Sequence, residues 1–239
     1  MALKEIVYQN HTLSMSYELC NMEAQKSILF LHGWGSSKEA MKNSFSKSFA
    51  SYKHIYVDLP GFGNSSIADV LDTNDYAHIV RIFLKRIECQ PSVIFGHSFG
   101  GKVATLLDPT KLVLLSSAGI VIPKSFKIKT KIWFYKLFKP FFPKNFYKFF
   151  AAKDVEGMSP IMYEIFKKVV DEDFSDIFAR REGKTYLFWG KDDRATPLSS
   201  GEKIHSLIHN SQLFVMEGDH FFFLKAGKRI ETLLEKNGF

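Results

Sequence analysis

With 239 residues, 46% of them hydrophobic and 24% charged, the chain can enclose one hydrophobic core with a modest insertion but is short for two full domains. No run reaches the ~20 apolar residues of a membrane span, and the charged start, Met1-Ala-Leu-Lys4-Glu5, lacks the apolar core of a signal peptide, so a cytoplasmic location is expected. The net charge is +7, and two cysteines, Cys20 and Cys89, are too few for a disulfide framework and read as buried free thiols.

Strand and helix signals alternate along most of the chain, which favours a mostly parallel sheet covered by helices on both faces, an α/β fold. Residues 5–8 and 13–19 read as an antiparallel hairpin turning at Asn10-His11. Residues 27–31 form the continuous apolar run of a strand buried on both faces. Residues 37–51 have helical spacing, and a second buried strand, 54–57, stops at Asp58-Leu59-Pro60-Gly61. An amphipathic helix is predicted over about 73–87, with Ile79, Ile82, Phe83 and Ile87 on one side. Pro91 opens a third strand, 92–95, which runs through Gly96 into a short helix; a fourth strand follows at 112–116. Strands at 185–189 and 212–216 come later, covered by helices at 201–208 and 227–236. Residues 123–181 interrupt this alternation and read as short helices separated by Pro140, Pro143 and Gly157-Met158-Ser159-Pro160. They are expected to form a helical lid over the carboxyl ends of the strands, with residues 1–122 and 182–239 as the core.

The third strand ends in Gly96-His97-Ser98-Phe99-Gly100, a Gly-x-Ser-x-Gly pattern at a strand-to-helix turn. Such a turn strains the serine backbone and lifts its hydroxyl above the sheet, with the amino end of the following helix directed at it. A serine hydroxyl is a poor nucleophile without a neighbouring base, so an acid and then a histidine are expected downstream. Asp192 and Asp193 follow the strand ending at Trp189, and Asp219-His220 follows the strand ending at Met216. His220 is the expected general base. The acid is open between Asp192 and Asp193, with Asp219 a third candidate. Leaving the 27–31 strand, His32-Gly33-Trp34-Gly35-Ser36 can aim backbone N–H groups at a developing oxyanion; the expected donors are those of Trp34 and Phe99. His32 and His97 read as structural residues.

These segments, with Asp58-Leu59-Pro60-Gly61-Phe62-Gly63-Asn64-Ser65, resemble the α/β-hydrolase superfamily over nearly the whole chain. His32-Gly33-Trp34-Gly35 in particular is similar to the biotin-pathway esterases that cleave pimeloyl-acyl-carrier-protein methyl ester. The resemblance implies a triad of Ser98, Asp193 and His220. In that family the acid lies three residues after a glycine and four before a proline, which selects Asp193 over Asp192. It also implies an oxyanion hole of Trp34 and Phe99, a carboxylic ester substrate, and no metal or organic cofactor. The meta-cleavage C–C hydrolases are the alternative relatives. They usually carry Asn before the nucleophile, a Gly-x-Gly-Pro-Gly loop and Trp after the histidine, where this chain has His97, Gly33-Trp34-Gly35-Ser36 and Phe221.

The lid adds a partner question. Residues 124–153 hold nine lysines and no acidic residue, interleaved with aromatic side chains. Lys124, Lys127, Lys129, Lys131, Trp133 and Phe138 are therefore candidate contacts for the acyl chain or for an acidic acyl carrier protein. The same composition suits peripheral contact with an anionic membrane, whereas no recognition motif supports nucleic acid. A general short-chain esterase and a non-catalytic membrane-associated scaffold are the remaining readings.

Overall fold

The computed structural model describes residues 1–121 and 158–239. Eight strands form one sheet: β1 Ala2–Tyr8, β2 His11–Cys20, β3 Lys26–Leu31, β4 Tyr52–Val57, β5 Val93–His97, β6 Lys111–Leu115, β7 Lys184–Gly190 and β8 Ser211–Met216. Their order is β1-β2-β4-β3-β5-β6-β7-β8. β2 is antiparallel to both β1 and β4, and every other pairing is parallel.

The central strands read as unbroken apolar runs because both of their faces are covered. Leu29, Leu31, Ile55, Val57, Ile94, Leu112, Leu114, Leu187 and Trp189 point to one side. Ile28, Phe30, Tyr56, Val93, Phe95, Val113, Leu115, Tyr186 and Phe188 point to the other. Seven helices among the described residues supply the covering: α1 Lys38–Phe45, α2 Thr73–Arg86, α3 Phe99–Leu107, α4 Pro160–Val169, α5 Ser175–Ala179, α6 Leu198–Leu207 and α7 Gly227–Lys236. α1 and α7 bury Met41, Phe45, Ile230 and Leu234 on the second face, an aromatic-rich layer. The others cover the first face. α2 starts in a reciprocal capping box between Asp72 and Asp75 and lays down Tyr76, Ile79, Val80 and Phe83 as its apolar stripe.

The interruption before the fifth parallel strand is partly described. α4 and α5 lie within it, and Met162, Ile165, Val169 and Phe178 join the same core as the first face of the sheet. Residues 122–157, which include Lys124, Lys127, Lys129, Lys131, Trp133 and Phe138, lie outside the described residues.

Four local expectations need correction. The hairpin turns at Gln9-Asn10, since Tyr8 pairs with His11 and both turn residues have positive φ (46° and 67°), the primed turn that suits a two-residue loop. β1 also starts earlier than predicted. Leu3 and Val7 are exposed, so an edge strand with one covered position, Ile6, shows little alternation. The helix predicted over 37–51 ends at Phe45, and the chain reverses through Phe49 at φ 53°. Cys20 and Cys89 are free thiols, as expected, but half-buried.

β3 lies where the strand order reverses, with β4 on one side and β5 on the other. In an open parallel sheet the crevice beyond the carboxyl ends of the strands at such a point is the natural ligand site.

Candidate active site

Ser98 occupies the sharp turn between β5 and α3. Its backbone sits at φ 49°, ψ −114°, a conformation that a residue with a side chain rarely holds. Neighbouring elements pin it there. The Ser98 N–H donates to the Leu115 carbonyl (3.1 Å), and the Ser98 carbonyl accepts from Ala118 (3.1 Å) and Gly101 (3.0 Å). Strand and helix then pass so closely that a Cβ on Gly96 would lie 2.5 Å from the Gly100 carbonyl oxygen. That approach is the physical reason for glycine in the elbow.

The other two candidates approach from adjoining strand ends. Asp193 follows β7 and His220 follows β8. His220 Nδ1 donates to Asp193 Oδ2 at 2.8 Å, and the Asp193 side chain is 0% exposed. Asp193 Oδ1 accepts the backbone N–H groups of Ala195 (2.8 Å) and Thr196 (3.0 Å). Burial on its own would raise the Asp193 pKa. The bond to His220, with the nearby Ser116 hydroxyl and the Thr196 N–H after it, outweighs burial and holds the carboxyl at about 2. Asp192 is exposed, and its N–H donates to the Gly218 carbonyl. Asp219 is exposed too, its side chain accepting the Phe221 N–H in a local turn. Of the three candidate acids, the structure brings only Asp193 to His220.

The glycine-rich loop after β3 lies against the same turn. A Cβ on Gly33 would stand 2.7 Å from His97 Nδ1 and 3.1 Å from Ser98 Cβ, so only glycine lets Trp34 come this near. Phe99 is the first residue of α3, where backbone N–H groups have no acceptor within the helix. Both expected oxyanion donors therefore belong to segments that meet at Ser98.

A model of the alpha/beta hydrolase family matches residues 28–232. The chain belongs to this family. It is 23% identical over 240 residues to an uncharacterized hydrolase, YugF, of Bacillus subtilis, covering 84% of this chain and 85% of that protein. It is 25% identical over 242 residues to a 2-hydroxy-6-oxononadienedioate/2-hydroxy-6-oxononatrienedioate hydrolase of Pseudomonas putida, covering 85% and 84%. Among solved structures, an esterase from Exiguobacterium antarcticum superposes with a TM-score of 0.73 at 20% identity, over 94% of this chain and 95% of that one.

In this α/β-hydrolase, Ser98 and His220 line one cavity of about 1060 Å³ together with Trp34, Phe99, Met162 and Phe166. Its walls are mainly aromatic and aliphatic, the lining expected for the hydrocarbon part of a ligand. Trp34 stacks edge-on against Phe62 and Phe99, with ring centroids 4.9 and 5.5 Å apart. Among the described residues no cluster of His, Cys, Asp or Glu could hold a metal ion, and no helix is long and apolar enough to cross a membrane.

Two histidines brace the hydrolase site from beneath. The His97 ring donates through Nε2 to the His220 carbonyl (3.0 Å), which fixes the loop carrying His220. Burial, with His220 beside it, pushes His97 down to about 3, so it stays neutral. His32 accepts the Leu59 N–H at Nε2 (3.0 Å), which leaves its proton on Nδ1 to donate to the Gly33 carbonyl (2.8 Å). Burial lowers it to about 4.

Reading the sequence alone missed two residues that shape the site. Thr196 places its hydroxyl 3.0 Å from Asp193 Oδ2; a hydroxyl residue three places after the acid was the available signal. Lys102, one turn along α3, is buried at the cavity wall and bonds Glu172 Oε2 at 2.7 Å, the Val169 carbonyl, and the rings of Phe99 and Phe174. Its burial lowers its pKa, an effect that Glu172 opposes. Nothing in the local pattern separates such a lysine from an exposed one.

Proposed function

We propose that this chain is a serine carboxylesterase that acts through an acyl-enzyme. The observation that carries the reading is the 2.8 Å bond from His220 Nδ1 to a fully buried Asp193, in the cavity that Ser98 also lines. Because Nδ1 keeps its proton for Asp193, Nε2 is the basic nitrogen. Ser98 Oγ attacks the ester carbonyl carbon while Nε2 takes the hydroxyl proton. The tetrahedral oxyanion rests on the Trp34 and Phe99 amides, each such donor contributing about 3 kcal/mol to the transition state. Collapse breaks the bond to the alcohol oxygen, which leaves with the proton from His220. A water then gives its proton to His220 and attacks the acyl carbon, releasing the acid and restoring Ser98.

For the substrate we favour a methyl ester carried on an acidic acyl carrier protein, of the pimeloyl type. Two sequence features support it: the Trp34 loop, and the concentration of lysines in residues 124–153. A carbon–carbon hydrolase is the second reading, favoured by the Pseudomonas putida relative. His97, Gly33-Trp34-Gly35-Ser36 and Phe221 stand against it. The test is a hydrolysis screen across acyl esters, carrier-bound and free, over a range of salt, with Ser98→Ala as control. Ester cleavage that Ser98→Ala lowers by about 10⁴-fold or more is expected. A carrier preference that fades with salt is also expected. Activity surviving in Ser98→Ala would overturn the esterase reading, and equal rates on free and carried esters at low salt would overturn the carrier.

A further inference from the structure

Thr196 is held in place before its side chain is considered. Its N–H donates to Asp193 Oδ1 (3.0 Å), and its carbonyl accepts the indole N–H of the buried Trp189 (2.8 Å). Pro197 follows and caps α6. With both peptide groups fixed, the hydroxyl has little choice of position. Oγ1 sits 3.0 Å from Asp193 Oδ2, 3.0 Å from the Ser116 carbonyl and 3.3 Å from His220 Nδ1. Ser116 directly follows β6 at a positive φ of 43°, and its N–H is tied to the Phe188 carbonyl of β7. The three groups around Oγ1 thus come from three different strand ends.

We infer that Thr196 is a positioning residue whose hydroxyl holds the Asp193–His220 pair in register for Ser98; the inference rests on the serine-esterase reading above. The hydroxyl has one proton and two acceptors at equal distance. Donating to Asp193 Oδ2, it spreads the charge of the carboxylate and fixes the plane in which Oδ2 meets the imidazole. Donating to the Ser116 carbonyl instead, it clamps the acid loop, and Asp193 with it, to the end of β6. In both arrangements the carboxylate stays aligned with the ring. A valine at this position would keep the shape and the backbone bonds and lose only this function. Thr196 also lines the cavity, so a change in size at this position is read in KM, and loss of the hydroxyl in kcat.

The experiment compares wild type with Thr196→Val, Thr196→Ser and Thr196→Ala, using the rate at which a fluorophosphonate labels Ser98, steady-state hydrolysis of an active ester, and thermal melting. A wild-type protein that folds but takes no label sinks the serine-esterase reading itself, whatever the variants do. If wild type labels, Thr196→Val is expected to lose about 10- to 100-fold in labelling rate and in kcat, the size of a hydrogen bond to a charged group. Its KM should stay within about threefold. Thr196→Ser should restore kcat to within about threefold of wild type while KM shifts with the lost methyl group. Labelling of Thr196→Val at the wild-type rate would overturn the inference, as would a Thr196→Ser enzyme as slow as Thr196→Val. Should Thr196→Val fail to fold, Thr196→Ala against Thr196→Ser isolates the hydroxyl, and equal kcat values for those two would overturn it.

Discussion

Among the described residues, two buried carboxylates lie at strand ends, each with a basic partner at nearly the same distance. Asp193, after β7, meets His220 at 2.8 Å. Asp58, after β4, meets Lys38 Nζ at 2.7 Å, and the two side chains are 0% and 1% exposed. Both carboxylates are filled with backbone N–H bonds, Asp58 from Lys38 and Asn64 and Asp193 from Ala195 and Thr196. Burial opposes the charge on both, and the bonds to the partner and to backbone N–H groups hold both below the usual carboxylate range. Each pair also has a neutral buried histidine beside it, His32 next to the Asp58 loop and His97 next to the His220 loop. The partner makes the difference. The Lys38 ammonium is sealed in the protein against Asp58 and faces no cavity residue of the site, whereas an imidazole that lines a cavity can take up and return a proton. The same device builds a loop in one place and a proposed base in the other.

Substitution should therefore have opposite effects at the two sites. Asp193→Asn keeps the shape of the acid but favours the wrong tautomer of His220, and kcat should fall about 10⁴-fold with the fold intact. Lys38→Met leaves the Asp58 charge buried and unpaired, which should cost about 3–5 kcal/mol of stability, while the kcat of the folded fraction stays near wild type. Urea midpoints together with kcat on an active ester read both effects at once. The double variant Lys38→Met, Asp58→Asn removes the orphaned charge and keeps an acceptor for the backbone, so it should regain part of the loss. A Lys38→Met protein that is stable but inactive would place the pair in the chemistry and erase the contrast.

Acid should break the braces before it reaches either carboxylate. His32 and His97 are lowered to about 4 and about 3 by burial, while the unfolded chain protonates its histidines near 6.5. Between those values the unfolded state binds more protons, so stability rises with pH. The contribution is complete above about 6.5 and is lost as pH falls toward 4 and then 3. Asp193 adds to this only lower down, between the ordinary carboxylate pKa and its own value of about 2. Urea midpoints from pH 8 to pH 4 should fall steadily. In His97→Asn the curve should be flatter over that interval, even if lower throughout.

Much of this was legible in the sequence because the signals were local. An apolar run reports a strand covered on both faces, and Gly96-His97-Ser98-Phe99-Gly100 reports a close strand–helix passage. Glycine at 96 has a single steric cause, so its meaning survives without the structure. Thr196 and Lys102 escaped notice for the opposite reason. What they do depends on partners about 80 and 70 residues away, Ser116 for Thr196 and Glu172 for Lys102. A threonine in a loop or a lysine in a helix carries no local mark of such a partner. The sequence points to a hairpin turn one residue late because Gln9-Asn10 lacks the glycine that usually marks a primed turn. The acid lay between these cases. Asp192 and Asp193 are adjacent, and a one-residue step in a loop decides which side chain enters the protein.

That step sets the smallest predicted effect and the sharpest control. The Asp193 N–H closes a tight turn onto the Gly190 carbonyl (3.2 Å), while the Asp192 N–H reaches across to the Gly218 carbonyl (3.0 Å). The turn directs consecutive side chains to opposite sides, Asp193 inward to His220 and Asp192 out to solvent. Asp219 adjoins His220 in sequence, yet its carboxylate accepts the Phe221 N–H and stays exposed. Neither exposed carboxylate can replace the buried one, because a charge screened by water cannot orient an imidazole as a desolvated neighbour does. Asp192→Asn and Asp219→Asn should each leave kcat within about threefold of wild type, a small change set against the loss at Asp193. A drop of a hundredfold in either variant would move the acid to that residue and dissolve the comparison between Asp193 and Asp58.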